Sequence, residues 1–134
     1  MQIKIIGIDL AKNIFQLHGV DHQGHSILQK RLTRGKLAEF MLNFPPCLVG
    51  MEACGGAHYW ARKFISFGHE VRLMNPQYVK PYVKTNKNDF NDAEAICEAV
   101  ARPNMRFVAI KALNNKISNP FIAFDNVSSK SVRL

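Results

Sequence analysis

Residues 2–10 read QIKIIGIDL, and no other segment limits the fold as strongly. In an extended chain Ile3 and Ile5 fall on one face, and Ile6 and Ile8 on the other. A strand apolar on both faces belongs in the middle of a sheet that is covered above and below. This strand stops on an acid, Asp9. The next two segments differ. Residues 14–20 alternate through Phe15, Leu17 and Gly19, and residues 26–32 alternate more weakly around Ile27, with a turn at His22–Gly24 between them. Three strands joined by short connections predict an antiparallel meander.

The period then lengthens. Leu37, Phe40, Met41 and Phe44 follow a helical stripe that Pro45-Pro46 stops. CLVGM (47–51) is a short buried strand that ends, like the first, on an acid, Glu52. Trp60, Phe64 and Phe67 mark a second helix closed by Gly68. Residues 70–74 alternate as a strand, and Asn75-Pro76 opens a short helix around Tyr78–Val83. Ala93, Ile96, Cys97 and Val100 place the last helix over about 89–101, before Pro103. Three strands followed by alternating helices and strands predict an α/β fold, a mixed sheet with helices on its faces. Residues 1–111 form the expected domain. Residues 112–134, rich in Asn and Ser and without a sustained period, are expected to be a weakly structured tail.

At 134 residues the chain has room for one domain of ordinary size, and it needs no disulfide or metal to staple a core. No apolar run reaches the ~20 residues of a membrane span. The N-terminus lacks the pattern of a signal peptide, so no membrane and a cytoplasmic location are expected. Cys47, Cys54 and Cys97 are odd in number and widely spaced, which argues against a disulfide framework or a zinc knuckle. Charge says more about partners. The whole chain carries 18 Lys+Arg against 10 Asp+Glu. The last 23 residues hold three basic and one acidic residue, leaving residues 1–111 with 15 against nine, a net of +6. A basic domain attracts polyanions, nucleic acid foremost; a solubility surplus is the plainer alternative.

Four of those nine acids stand where an acid is structurally awkward. Asp9 and Glu52 end buried strands, and Asp89 and Asp92 lie three residues apart at the start of the last helix. If the first and fourth strands are neighbours, Asp9 and Glu52 meet at one sheet edge, where sites of α/β folds gather. Ala93 and Ile96 would hold the helix so that Asp89 and Asp92 reach the same edge. Packed carboxylates repel unless a cation intervenes, and hard oxygen donors suit Mg²⁺ or Mn²⁺. Two such ions can clamp the attacking and leaving oxygens of a phosphodiester displacement. Taken singly, each acid has another reading: a turn residue or helix cap at Asp9, an ion pair at Glu52, and helix-dipole placement at Asp89 and Asp92.

Three segments carry a family likeness. GIDLAKN (7–13), GMEACGGAHYWARKF (50–64) and KTNKNDFNDAEAI (84–96) resemble, in order and spacing, the N-terminal motifs of insertion-sequence-110 (DEDD) transposases. The resemblance implies a ribonuclease-H-like catalytic domain closest to RuvC-type resolvases, with its acids on Asp9, Glu52, Asp89 and Asp92. It further implies metal-dependent DNA cleavage and strand transfer, a structured guide RNA, and oligomeric assembly. Family members continue into a helical segment and a second domain bearing a nucleophilic serine. This chain has no room for either, so a truncated copy, binding nucleic acid without completing transposition, is expected.

Lys12, Lys84 and Lys87 flank the acidic motifs as candidate phosphate contacts, or else as solvated lysines. His58 reads as a surface or helix-start histidine, with proton transfer the alternative. Trp60 shares the stripe of Phe64 and Phe67 and reads as core, while Tyr59 is a candidate for stacking on a base. Gly55-Gly56 lacks a phosphate-loop pattern. Two competing functions remain: a non-catalytic nucleic-acid-binding remnant, and a sugar-kinase or actin-like ATPase half. The latter also opens on a G-I-D strand but needs small, Gly-rich residues where this chain has Leu10-Ala11-Lys12-Asn13.

Overall fold

The computed structural model describes residues 2–11, 13–84, 90–111 and 117–118. The first strand, β1 (Ile5–Asp9), pairs antiparallel with β2 (Ile14–Val20), which pairs antiparallel with β3 (Ser26–Thr33). Helix α1 (Arg34–Asn43) then leads to β4 (Leu48–Glu52), helix α2 (Ala57–Ser66) and β5 (Glu70–Met74). A short helix, α3 (Pro76–Val79), runs into a 3-10 turn, Lys80–Tyr82, ahead of helix α4 (Asn91–Val100). Three two-residue strands follow: β6 (Phe107–Val108), β7 (Ile110–Lys111) and β8 (Ile117–Ser118). The main sheet has the order β3-β2-β1-β4-β5-β6, and β7 and β8 pair separately. Strands β1, β4 and β5 are parallel, so their C-terminal ends share one edge.

Alternation along β1 divides the core. Ile6 and Ile8 join Phe15, Leu17, Val49, Met51 and Leu73 beneath α1 and α2. Ile5 joins Ile96, Cys97, Ala99 and Val100 of α4 on the opposite face. Ile3, expected beside Ile5, packs against the first cluster instead, because regular strand pairing begins only at Ile5. The expected second-helix stripe is realised: Trp60 and Phe64 are buried, and the Trp60 ring meets Phe15 edge-on at 5.5 Å. Gly56 begins α2 at φ +86° and Gly68 follows it at φ +102°, conformations glycine adopts freely. His69 ties the layers together. Its Nε2–H donates to the Met41 carbonyl at 2.7 Å, and its Nδ1 accepts the Cys47 N–H at 3.2 Å.

Two glycines let α4 approach the sheet. Gly7 and Gly50 are register partners on β1 and β4. A Cβ on Gly7 would collide with the Ala93 carbonyl and lie 2.5 Å from the Cys97 nitrogen. One on Gly50 would lie 2.8 Å from the Val100 Cβ. Helix α4 therefore lies directly on backbone where the two parallel strands meet. Strands β6 to β8 carry no readable sequence period, since two residues cannot alternate usefully. Most of the expected tail lies outside the described residues; the pairing of 110–111 with 117–118 is the part within them. All three cysteines are free thiols, and no helix among the described residues is long and apolar enough to cross a membrane.

Candidate carboxylate site and nucleic-acid interface

The register that pairs Gly7 with Gly50 also places Asp9 and Glu52. Each acid lies two residues further along a parallel strand, so both fall on the α4 face and at the same edge. Asp9 and Glu52 are half-buried and Asp92, in the first turn of α4, is exposed. Helix α4 supplies the third charge because its backbone is seated on Gly7. The electrostatics record the closeness. Burial raises the Asp9 carboxyl above the usual range, and the negative charge of Asp92 raises it further. Burial also raises Glu52, with Asp9 and Asp92 adding to the effect. No cation pairs with these three acids among the described residues.

Asp89, the fourth expected acid, lies outside the described residues, as do Lys12 and Lys87. Among the described residues, no three His, Cys, Asp or Glu side chains close to metal-holding distance. The donor set still fits a hard divalent cation in its chemistry: it is oxygen-only at its centre, and its charges raise the proton affinity of Asp9 and Glu52. Lys84, a candidate phosphate contact, pairs with Glu98 of α4 at 3.6 Å. His58 accepts the Lys111 N–H on Nδ1 at 3.0 Å, which docks β7 on α2. Burial, aided by Lys111 and Arg62, lowers its pKa. Trp60 is core, and Tyr59 is exposed with the Lys63 ammonium 5.4 Å from its ring centre.

Two neighbours of the site escaped sequence reasoning. Cys54, exposed and two residues beyond Glu52, has its thiol raised by burial and then by Glu52 and Asp9. Arg31 reaches the site from the meander. Asp9 pairs with Gln16 and Gln16 with Arg31, so the three share one face across three strands. The Arg31 guanidinium stands 5.6 Å from the ring centre of Phe90, at the start of α4. Only the strand register, which sequence spacing does not show, puts this cation on the sheet face that carries Asp9.

Acids at the ends of parallel strands in a sheet of order 3-2-1-4-5, with a helix bringing another to the same edge, define a ribonuclease-H-like fold with a carboxylate edge. Among solved structures, Thermus thermophilus RuvC, determined in complex with a Holliday junction substrate, superposes with a TM-score of 0.57 at 14% identity, covering 81% of this chain and all of that one. The DEDD transposase family of the IS110 type matches residues 6–116, and the chain belongs to that family. A probable family 20 transposase of Pseudomonas aeruginosa is 55% identical over 112 residues, 84% of this chain and 33% of the relative. The transposase of IS1328 from Yersinia enterocolitica is 53% identical over 106 residues, 79% of this chain and 32% of the relative. The transposase of IS1111A from Coxiella burnetii is 47% identical over 114 residues. The chain thus spans about a third of the length of the curated relatives it matches. Family membership sets aside the kinase and ATPase alternative.

Proposed function

We propose that residues 1–111 form a metal-dependent phosphodiester-cleaving domain acting on cytoplasmic DNA in the movement of an insertion sequence. Asp9, Glu52, Asp89 and Asp92 would hold one or two Mg²⁺ or Mn²⁺ ions. The observation that carries this reading is the meeting of Asp9, Glu52 and Asp92 at one sheet edge, close enough that the charge of Asp92 raises Asp9 and the charges of Asp9 and Asp92 raise Glu52. A bound cation would polarise the phosphoryl oxygen and lower the pKa of water. The protein's own part is to place oxygen donors on rigid strand ends and to bring a phosphate chain to them. Arg31 supports the second task at the site, and the net positive charge supports it at a distance. In its relatives, this domain's chemistry would be joined to that of the remaining two-thirds of the chain, with a structured RNA and further copies as partners.

The test is nicking of a branched DNA in Mg²⁺ or Mn²⁺, with Asp9→Asn as control and DNA binding measured in parallel. Metal-dependent cleavage by the wild type, lost in Asp9→Asn with binding retained, supports the reading. Binding by both proteins with cleavage by neither would leave a nucleic-acid-binding module. Cleavage that survives Asp9→Asn would remove the carboxylate site from the mechanism.

A further inference from the structure

Two long stretches of the chain contain no acidic residue: 71–88 and 99–124. The fold brings described parts of them, within 71–84 and 99–111, together. The α3–3-10 segment follows β5 and therefore starts at the sheet edge that carries Asp9 and Glu52. Residues 102–106 leave the far end of α4 and return to pair Phe107 with Met74, the last residue of β5. Between them lies an open cleft of about 440 Å³ lined by Tyr78, Pro81, Tyr82, Arg102, Met105 and Arg106. Tyr78 and Tyr82 both line the cleft, Tyr82 half-buried against the α4 core cluster. Tyr78 is 39% exposed, and Phe107, the residue after Arg106, is 38% exposed. The Arg72 guanidinium lies 4.8 Å from the Phe107 ring centre. Among the described residues, neither Arg102 nor Arg106 has a carboxylate partner.

We propose that this cleft is a binding site for single-stranded DNA, in which a base stacks on Tyr78 while Arg102 and Arg106 contact the flanking phosphates. Exposed aromatic rings interleaved with unpaired guanidinium groups are what an unpaired strand requires: a face for its bases and cations for its backbone. The cleft's volume suits one or two bases, and a stacked duplex offers no free base face to the tyrosine. The residues lining the cleft include Arg102 and Arg106 and no acid, which suits a polyanion. The inference rests on the DNA-cleaving reading above, and its role there is to hold an unpaired strand at a fixed distance from the carboxylate edge.

The test is fluorescence anisotropy of the whole chain with a labelled oligothymidylate, a blunt duplex, a branched DNA and an oligouridylate across a salt series. Tyr78→Ala should weaken oligothymidylate binding about tenfold, within the range expected for one lost stack. Tyr78→Phe should restore it, because the ring and not the hydroxyl makes the contact. Arg106→Gln should weaken it and reduce the slope of affinity against salt by about one phosphate contact. Duplex affinity should stay unchanged in Tyr78→Ala. Equal oligothymidylate affinity in wild type and Tyr78→Ala, with branched DNA still bound, would overturn the cleft and leave the cleavage reading standing. Oligouridylate bound in preference and lost in Tyr78→Ala would overturn the assignment to DNA. No binding of any DNA by the wild type would overturn both readings.

Discussion

Three negative charges at one sheet edge must cost the metal-free protein stability, and the sign can be worked out. Folding raises the proton affinity of Asp9 and Glu52 through burial first and then through neighbouring charge, Asp92 for Asp9 and both Asp9 and Asp92 for Glu52. Below their unfolded values both states hold the protons and nothing is lost. As pH rises through the raised folded values, the unfolded state has already released protons that the folded state still holds, so stability falls. The metal-free wild type should therefore lose stability relative to Asp9→Asn between mildly acidic and neutral pH. Denaturant melts of the two proteins at several pH values would show the gap closing on acidification. A gap independent of pH would mean that Asp9 is not under electrostatic load. Metal reverses the comparison: millimolar Mg²⁺ or Mn²⁺ should raise the wild-type melting temperature by mass action and leave Asp9→Asn nearly unmoved. Equal rises in both proteins would show that the ion binds elsewhere.

At the scale of elements, the site depends on how closely α4 rests on β1. A Cβ at Gly7 has backbone atoms of Ala93 and Cys97 in its path, and backbone cannot swing aside. Gly7→Ala should lift the helix, cost roughly 1–3 kcal/mol or more as an overpacking change, and weaken the metal-induced rise in melting temperature. Gly35 in α1 is the contrast, with nothing within 4 Å of its ideal Cβ. Gly35→Ala should stabilise by about 0.5–1 kcal/mol through helix entropy alone. Thermal melts of the two variants with and without Mn²⁺ would separate the effects; a harmless Gly7→Ala would mean the helix is not seated as described. The same closeness explains what the sequence could show. Strands β2 and β5 were readable to their end residues because their alternation is sustained, and α4 because its apolar face is broad. Asp9 and Glu52 were readable as odd endings to apolar strands. Strands β6 to β8 were too short to show a period. Ile3 was misplaced because alternation was extended past the point where pairing starts. Arg31 and the Tyr78 cleft exist only through pairings between distant segments, so local pattern could not show them.

At the scale of the whole molecule, charge is unevenly divided: three of the ten acids, Asp9, Glu52 and Asp92, share one edge of the sheet while the net balance is +8. A polyanion approaching this surface is drawn by the basic majority and meets concentrated repulsion at these three carboxylates. Binding should therefore be dominated by phosphate contacts, with affinity falling steeply and log-linearly as salt rises. Asp92→Asn removes an exposed negative charge from the approach to the edge and a proposed metal ligand at once. Without metal it should tighten binding of branched DNA, because one repulsion is gone. With Mg²⁺ or Mn²⁺ present the order should invert, because the wild type's carboxylates would hold a cation that attracts phosphate and the variant would hold it less well. Gel-shift titrations of both proteins in chelator and in metal would read the crossover directly. Parallel curves without a crossover would mean that the acids influence DNA only by repulsion, and the metal would then have no place between them and the phosphate.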